Sequence, residues 1–217
     1  IYKIYQQKLI DLNACDFGDL ILHVVKIFEK NNEIRNLYTK NFKYILVDEY
    51  QDTNLIQSRW LNLLAEKNKN ICCVGDDDQS IYSWRGAEIK NFLEFDKIYD
   101  NTKIIKLEQN YRSTQNILSV ASNLISNNQN RLGKTLKTTM EDGELIKLNC
   151  FKNGKDEATG LSDEIEKIKK EYSYNKIAIL VRAIFQTREF EERFLKIGIP
   201  YRILGGIKFY ERAEVKD

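Results

Sequence analysis

The chain has 217 residues, of which 42% are hydrophobic and 30% are charged, and its 34 basic and 32 acidic residues leave a net charge of +2. This composition excludes a disordered or membrane-spanning protein and allows one large domain or two modest ones. Because the net charge is small, any contact with nucleic acid must be made by a local groove rather than by a global basic field.

The cysteines and the single histidine give no sign of a metal centre or a histidine triad. Cys15, Cys72, Cys73 and Cys150 form no CxxC pair. A reduced, cytoplasmic protein is therefore expected. Cys72 and Cys73 are neighbours on a predicted strand, where they face opposite sides and pack as small apolar residues. His23 lies in an apolar helical run and is interpreted as structural.

The first half of the chain alternates helical and extended patterns. Apolar residues at helical spacing predict helices at residues 1–12, 16–30, 55–66 and 89–95. Short apolar runs predict strands at residues 44–47, 71–74 and 103–107. The predicted buried face of the second helix is formed by Leu20, Val24, Ile27 and Phe28. Strands separated by helices predict a parallel α/β sheet with its site at the carboxyl edge of the strands.

The same alternation starts again beyond residue 107. It predicts helices at residues 114–126, 156–172 and 185–197, and strands at residues 145–151 and 177–181. Residues 200–209 are predicted to be extended, with a turn at Gly205 and Gly206. A domain boundary is placed between residues 107 and 108, where one α/β pattern gives way to another.

An adjacent carboxylate pair, Asp48 and Glu49, ends the first predicted strand in the sequence YILVDEYQDTN, residues 44–54. A buried carboxylate pair is costly unless a cation meets it. In nucleotide-binding folds that cation is usually Mg²⁺, held by an acidic residue at the end of a strand. An ordinary strand-to-loop exit with surface acids gives the same pattern.

A second cluster follows the strand at residues 71–74, in the sequence VGDDDQSIYSWRGA, residues 74–87. This loop has an unusual density of aromatic and cationic groups, namely Tyr82, Trp84 and Arg85. Exposed aromatics beside arginine form a stacking platform for unpaired bases. The alternative is that Trp84 anchors the core and Arg85 is merely solvated. Gln79 carries a neutral carboxamide that can orient water or touch a phosphate oxygen.

The third cluster is LEQNYRST, residues 107–114, at the predicted boundary. Arg112 could reach a phosphate held by the preceding domain, and Tyr111 could stack on a base. An arginine supplied across a cleft raises phosphoryl-transfer rates by about 10³ to 10⁵. A salt-bridged arginine at a helix start is the commoner alternative.

In order and spacing, the three clusters resemble the superfamily 1 DNA helicases of the UvrD, PcrA and Rep type, over nearly the whole chain. The resemblance implies that Asp48 holds Mg²⁺, that Glu49 is the base that activates water, and that Gln79 senses the γ-phosphate of ATP. It also implies that Tyr111 stacks on adenine and Arg112 acts as the arginine finger. Tyr82, Trp84 and Arg85 would then lie towards single-stranded DNA.

The resemblance further implies two RecA-like parallel-sheet halves of the P-loop NTPase type, both incomplete. Residues 1–107 would be the C-terminal part of the first motor domain, with residues 1–12 ending an inserted helical subdomain. Residues 108–217 would be the N-terminal part of the second. DFGDL, residues 16–20, is similar to the family's return into the first motor domain, and GGIKFYERAEVKD, residues 205–217, to its exit from the second.

A phosphate loop, G-x-x-x-x-G-K-[ST], is not found in these residues. The last three positions of this pattern are matched by Gly133, Lys134 and Thr135. The match fails because Asn128 occupies the position of the first glycine, and because a predicted helix precedes these residues where a strand is needed. The chain is therefore interpreted as an internal fragment of a helicase that moves 3′ to 5′ by family resemblance. Alone, it is predicted to bind ATP weakly and not to hydrolyse it.

Two alternative functions remain compatible with the motifs. One is the motor subunit of a recombination helicase-nuclease, which shares these motifs. The other is a non-catalytic module that binds single-stranded DNA or a protein partner. Single-stranded DNA and duplex junctions are the expected partners of the leading interpretation, with no membrane.

Overall fold

The computed structural model describes residues 1–129 and 131–205. The chain forms two compact units, residues 1–145 and residues 146–217, and each is described by itself. These units do not test the predicted boundary between residues 107 and 108, which stays a prediction. Apart from Gly205, the predicted exit segment at residues 205–217 and the Gly205–Gly206 turn lie outside the described residues.

Seven helices are described in the first unit: α1 Tyr2–Asp11, α2 Phe17–Lys30, α3 Asn32–Asn41, α4 Leu55–Ala65, α5 Lys90–Leu93, α6 Phe95–Ile98 and α7 Gln115–Ile125. The predicted helices are confirmed for α1, α2, α4 and α7. The helix predicted at residues 89–95 is instead divided into α5 and α6 at Glu94. Helix α3 was not predicted. No helix in the described part of the chain is long and apolar enough to cross a bilayer.

Helix α2 begins with a reciprocal cap. The backbone N–H of Asp19 donates to Asp16 Oδ1 at 2.8 Å, and the N–H of Asp16 donates to Asp19 Oδ2 at 3.2 Å. The predicted buried face is only partly correct, because Val25 and Phe28 are buried whereas Leu20 and Ile27 are exposed. The buried stripe is rotated because α2 packs against both α3 and α4.

Two small parallel sheets confirm the α/β class. Strand β1, Ile45–Val47, pairs with β2, Ile71–Cys73, and Ile45 lies opposite Ile71. Strand β3, Gln109–Asn110, pairs with β4, Lys137–Thr138. Helix α4 provides the crossover between β1 and β2, as a parallel pair requires. Cys72 is exposed, contrary to the expectation that it packs as an apolar residue, while burial raises the pKa of Cys73 to about 12.

Three predicted strands are wrong. Residues 103–107, 145–151 and 177–181 form no strand. An apolar run indicates only a preference for burial, whereas a strand also needs a neighbouring backbone to accept its hydrogen bonds. The runs at residues 103–107 and 145–151 are not buried either, because Leu107 and Leu148 are 78% and 98% exposed.

The described part of the second unit, residues 146–205, contains two helices, α8 Gly154–Ile168 and α9 Thr187–Ile197. They confirm the helices predicted at residues 156–172 and 185–197, although α8 ends earlier. The core of the second unit contains five buried residues among those described: Ala158, Ile165, Phe190, Phe194 and Ile199. Ile177, Ile179 and Val181 pack against this core, so alternate residues of the extended segment face inward without a paired strand.

Candidate functional site

The loops that follow β1 and β2 lie at one edge of their sheet. Asp48 and Glu49 come directly after β1, and Gly75 and Asp76 follow β2 after a single residue. Because the two strands are parallel neighbours, their carboxyl ends meet at the same edge. The chain thus brings the first two predicted clusters together, as the sequence predicted.

The carboxylate pair is exposed, which corrects the expectation of a buried pair. Water therefore solvates both charges, and no cation is needed to offset the cost of burial. Asp48 Oδ1 accepts a hydrogen bond from the backbone N–H of Glu49 at 3.0 Å. As an exposed oxygen donor at the end of a strand, the Asp48 carboxylate is of the type that Mg²⁺ prefers.

Glu49 adopts a left-handed backbone conformation with φ 50° and ψ 42°. Such a conformation costs a non-glycine residue about 1 to 3 kcal/mol and persists where the surroundings fix it. Those surroundings begin with Tyr50, which is completely buried and whose N–H donates to the carbonyl of Val74 at 3.0 Å. The backbone that directly follows Glu49 is therefore held in place.

Gln51 connects the two loops. Its side chain is 1% exposed, its Nε2 donates to Glu49 Oε2 at 2.7 Å, and its Oε1 accepts from the backbone N–H of Asp76 at 3.0 Å. Both ends of one buried carboxamide are thus used to orient the Glu49 carboxylate relative to the loop after β2. Sequence analysis gave Gln51 no role, because a single buried amide has no periodic signal.

The three aspartates of the second cluster lie within reach of two cations. Gln79 Nε2 donates to Asp76 Oδ2 at 2.8 Å, and the Lys134 ammonium donates to Asp76 Oδ1. Arg131 donates to both carboxylate oxygens of Asp78, at 2.6 and 2.7 Å. Arg131 and Lys134 were not predicted as partners, because they are more than fifty residues distant in sequence from these aspartates.

The pKa of Asp76 lies below its ordinary value. Burial by itself would raise the pKa of this carboxyl, but the hydrogen bonds from Lys134 and Gln79 outweigh that effect. The carboxylates of residues 76–78 are close enough to one another to hold a metal ion. Arg131 and Lys134 already neutralise two of them, so the cluster is explained without a metal ion.

Tyr82, Trp84 and Arg85 form an exposed aromatic and cationic group. Trp84 is 68% exposed, so the alternative that it anchors the core is wrong. The Arg85 guanidinium carbon lies 5.0 Å from the centre of the Tyr82 ring and 4.7 Å from that of Trp84. This geometry is typical of cation–π contacts and leaves apolar ring surface in solvent.

Tyr111 and Arg112 lie in a turn after β3. Asn110 Oδ1 accepts from the N–H groups of Arg112 and Ser113, at 2.9 and 2.8 Å, and so fixes the turn. Tyr111 is 81% exposed. Arg112 is also exposed and takes part in none of the ion pairs within the described residues, so the salt-bridged alternative is not observed there.

The described hydrogen bonds and ion pairs join Gln79 to Asp76 and, through Gln51, to Glu49, but none of them joins Arg112 or Tyr111 to these groups. The first two predicted clusters are therefore in contact. For the third cluster, residues 107–114, the structure describes the turn that Asn110 fixes around Tyr111 and Arg112.

Comparisons with known proteins agree with the order of the motifs. Residues 1–100 match the family model of the UvrD/REP helicase N-terminal domain, and residues 105–217 match that of the UvrD-like helicase C-terminal domain. The chain is 55% identical to a probable DNA helicase II homolog of Rickettsia conorii, over 100% of this chain and 34% of the relative. It is 47% identical to the ATP-dependent DNA helicase PcrA of Staphylococcus epidermidis, over 100% of this chain and 30% of that protein. The chain thus spans about a third of the length of these relatives.

Proposed function

Because the chain belongs to the UvrD-like helicase family, we propose that the protein carrying it is an ATP-dependent DNA helicase or translocase. The observation that carries this proposal is the Gln51 bridge, which joins the Glu49 carboxylate to the loop that bears Gln79. A water-activating base and a phosphate-sensing amide need this kind of fixed relation. Movement from 3′ to 5′ and a cytoplasmic location belong to the same proposal.

The nucleotide site is assigned to five residues, Asp48, Glu49, Gln79, Tyr111 and Arg112. Asp48 would hold Mg²⁺, which when bound neutralises charge on the phosphate oxygens. Glu49 accepts the proton of the attacking water, and its bond to Gln51 holds it ready for that step. Gln79 contacts the γ-phosphate, Tyr111 stacks on adenine and Arg112 stabilises the charge that develops during transfer.

The DNA site is assigned to Tyr82, Trp84 and Arg85. Their exposed rings and guanidinium can stack on unpaired bases, and every base offers a face for stacking. This loop is continuous with the Asp76–Gln79 loop, so a change at the phosphate is transmitted over a few residues. Single-stranded DNA and duplex junctions are the proposed partners.

The decisive experiment measures ATP hydrolysis by the full-length protein with and without single-stranded DNA. Glu49→Gln is expected to lower kcat by at least about 100-fold, the usual contribution of a general base, with ATP still bound. Glu94→Gln is the matched control and should leave kcat unchanged, because Glu94 is exposed and, among the described residues, its one ion pair is with exposed Lys97. Wild-type turnover in Glu49→Gln would contradict the assignment.

The isolated 217-residue polypeptide is expected to bind ATP weakly and not to turn it over. No complete phosphate-loop sequence occurs in it. Lys134, the lysine of the partial match Gly133-Lys134-Thr135, is paired with Asp76. Hydrolysis by this polypeptide at a rate that Glu49→Gln abolishes would overturn this part of the proposal.

A further inference from the structure

Three consecutive aspartates, residues 76–78, each bind a different group of one short segment, residues 131–134, RLGK. Lys134 donates to Asp76, the backbone N–H of Leu132 donates to Asp77 Oδ2 at 2.7 Å, and Arg131 binds Asp78 through two hydrogen bonds. Lys134 Nζ also lies 3.9 Å from Asp78 Oδ2. The RLGK segment is therefore held at three successive points by one loop.

These ion pairs are largely withdrawn from solvent. The exposed fractions of the Asp78 and Lys134 side chains are 15% and 14%, and those of Arg131 and Asp76 are 19% and 25%. Exposed ion pairs usually contribute little, because water screens them and the side chains lose entropy. A mostly buried, two-pronged arginine–carboxylate pair is stronger and fixes orientation as well as distance.

The other side of the RLGK segment is tied to the chain around β3. Lys106 Nζ donates to the carbonyls of Leu132 and Gly133, at 2.6 and 3.2 Å. Glu108 Oε1 accepts from the N–H of Thr135 at 3.0 Å, directly after the segment. The RLGK segment thus lies between the loop that bears the three aspartates, residues 76–78 and here called the aspartate loop, and the strand that leads to Tyr111 and Arg112.

The contacts also cross between the two parts that the family models match. The aspartates belong to residues 1–100, and the RLGK segment belongs to residues 105–217. Asp76 is the shared point, because it accepts from both Gln79 and Lys134. If the Gln79 carboxamide turns from Asp76 towards a phosphate, Lys134 still pairs with that carboxylate.

We propose that Arg131 and Lys134 are positioning residues of the nucleotide site, which tie the Gln79 loop to the segment carrying Tyr111 and Arg112. This inference rests on the proposed function and adds a means of coupling to it. Arg131 keeps the loop at a fixed distance from β3, and Lys134 keeps the partly buried Asp76 carboxylate paired when Gln79 turns towards phosphate. Neither residue needs to touch the nucleotide.

The test is a double-mutant cycle in the full-length protein. Arg131→Gln and Asp78→Asn should each lower the DNA-stimulated kcat about tenfold, with the KM for ATP changed less than about threefold. If the two act through one another, the double variant should also be about tenfold slower rather than about 100-fold. Lys97→Gln, which breaks the exposed pair with Glu94, is the matched control and should stay within twofold.

Single variants with wild-type DNA-stimulated kcat, or a double variant with multiplied losses, would overturn the proposal. Hydrogen exchange of the backbone amides of residues 76–79 tests the positioning role without relying on ATP hydrolysis. If the wild-type protein hydrolyses no ATP, the proposed function fails. In that case faster exchange of these amides in Arg131→Gln, at unchanged Tm, would still support the tie between the loops, and unchanged exchange would overturn it.

Discussion

Gly75 lies where two side chains approach the backbone. An alanine Cβ there would lie 2.5 Å from Gln51 Oε1 and 2.8 Å from a ring carbon of Phe92. Gly75→Ala is therefore expected to lower the free energy of unfolding by about 1 to 3 kcal/mol, the usual cost of overpacking. Urea unfolding measures this loss.

The matched control for Gly75→Ala is Gly154→Ala in the first turn of α8. Its nearest neighbour would be Glu189 Cγ at 3.2 Å, part of a flexible side chain that can move. Alanine also favours the helix, so the free energy of unfolding should be unchanged or slightly raised. Equal stability of Gly75→Ala and wild type would show that Gln51 and Phe92 give way without cost.

Trp84 offers a second prediction for a single residue. If bases stack on it, Trp84→Ala should weaken binding of a single-stranded oligonucleotide by about 1 to 3 kcal/mol, which is roughly 5- to 150-fold in Kd. The dependence of Kd on salt should stay the same, because counterion release reflects phosphate contacts. Equilibrium titration at two salt concentrations measures both quantities.

Tyr172→Ala is the control for Trp84→Ala, since Tyr172 is another exposed aromatic residue, 56% accessible, in the second unit. Its Kd should match that of the wild type. Unchanged binding in Trp84→Ala with an intact fold would remove Trp84 from the DNA site.

The chemical groups of the site were predictable from sequence, but their surroundings were not. The acids and the amide stand directly after apolar runs, so their place at the sheet edge follows from the pattern of strands. The Gln51 bridge and the partners of Asp76 depend on contacts that local sequence does not report. For the same reason Asp48 and Glu49 were wrongly expected to be buried.

Among the elements, helix α4 carries the clearest local signal. Asn54 Oδ1 accepts from the N–H of Gln57, and Gln57 Oε1 accepts from the N–H of Asn54, both at 2.9 Å. Asn54→Ala should therefore lower the free energy of unfolding by about 1 kcal/mol, the usual contribution of an N-cap. Chemical denaturation followed by circular dichroism measures this loss.

Asn54→Ser keeps a capping oxygen and should lose clearly less than Asn54→Ala. Equal losses in both variants would mean that the cap contributes little and that the packing of α4 determines its stability. This comparison matters for the site, because α4 is the crossover that sets β1 beside β2.

Helices were predicted better than strands, for a physical reason. A helix satisfies its own backbone, so apolar spacing and caps suffice to locate α2, α4 and α7. A strand needs a partner elsewhere in the chain. Residues 177–181 pack alternate side chains onto the core of the second unit, as a strand would, yet form no described ladder.

For the whole molecule, the tie between the aspartate loop and the RLGK segment predicts how stability depends on pH. The pKa of Asp76 lies below its ordinary value of 3.8. A depressed carboxyl pKa adds stability that is complete above the ordinary pKa and is lost as the pH falls through the lower value of the folded state. Wild type should therefore exceed Lys134→Gln in free energy of unfolding at pH 7, and the difference should shrink below pH 3.8.

Urea unfolding of both proteins at several pH values between about 7 and 3 tests this expectation. Asp78 and Arg131 face the same lysine and carboxylate, so part of the difference will reflect their charges as well. Lys97→Gln is the control, and its effect should be small throughout because Lys97 and Glu94 are both exposed. A difference between wild type and Lys134→Gln that stays constant down to pH 3 would mean that Lys134 stabilises the protein by packing its aliphatic chain rather than by pairing with Asp76.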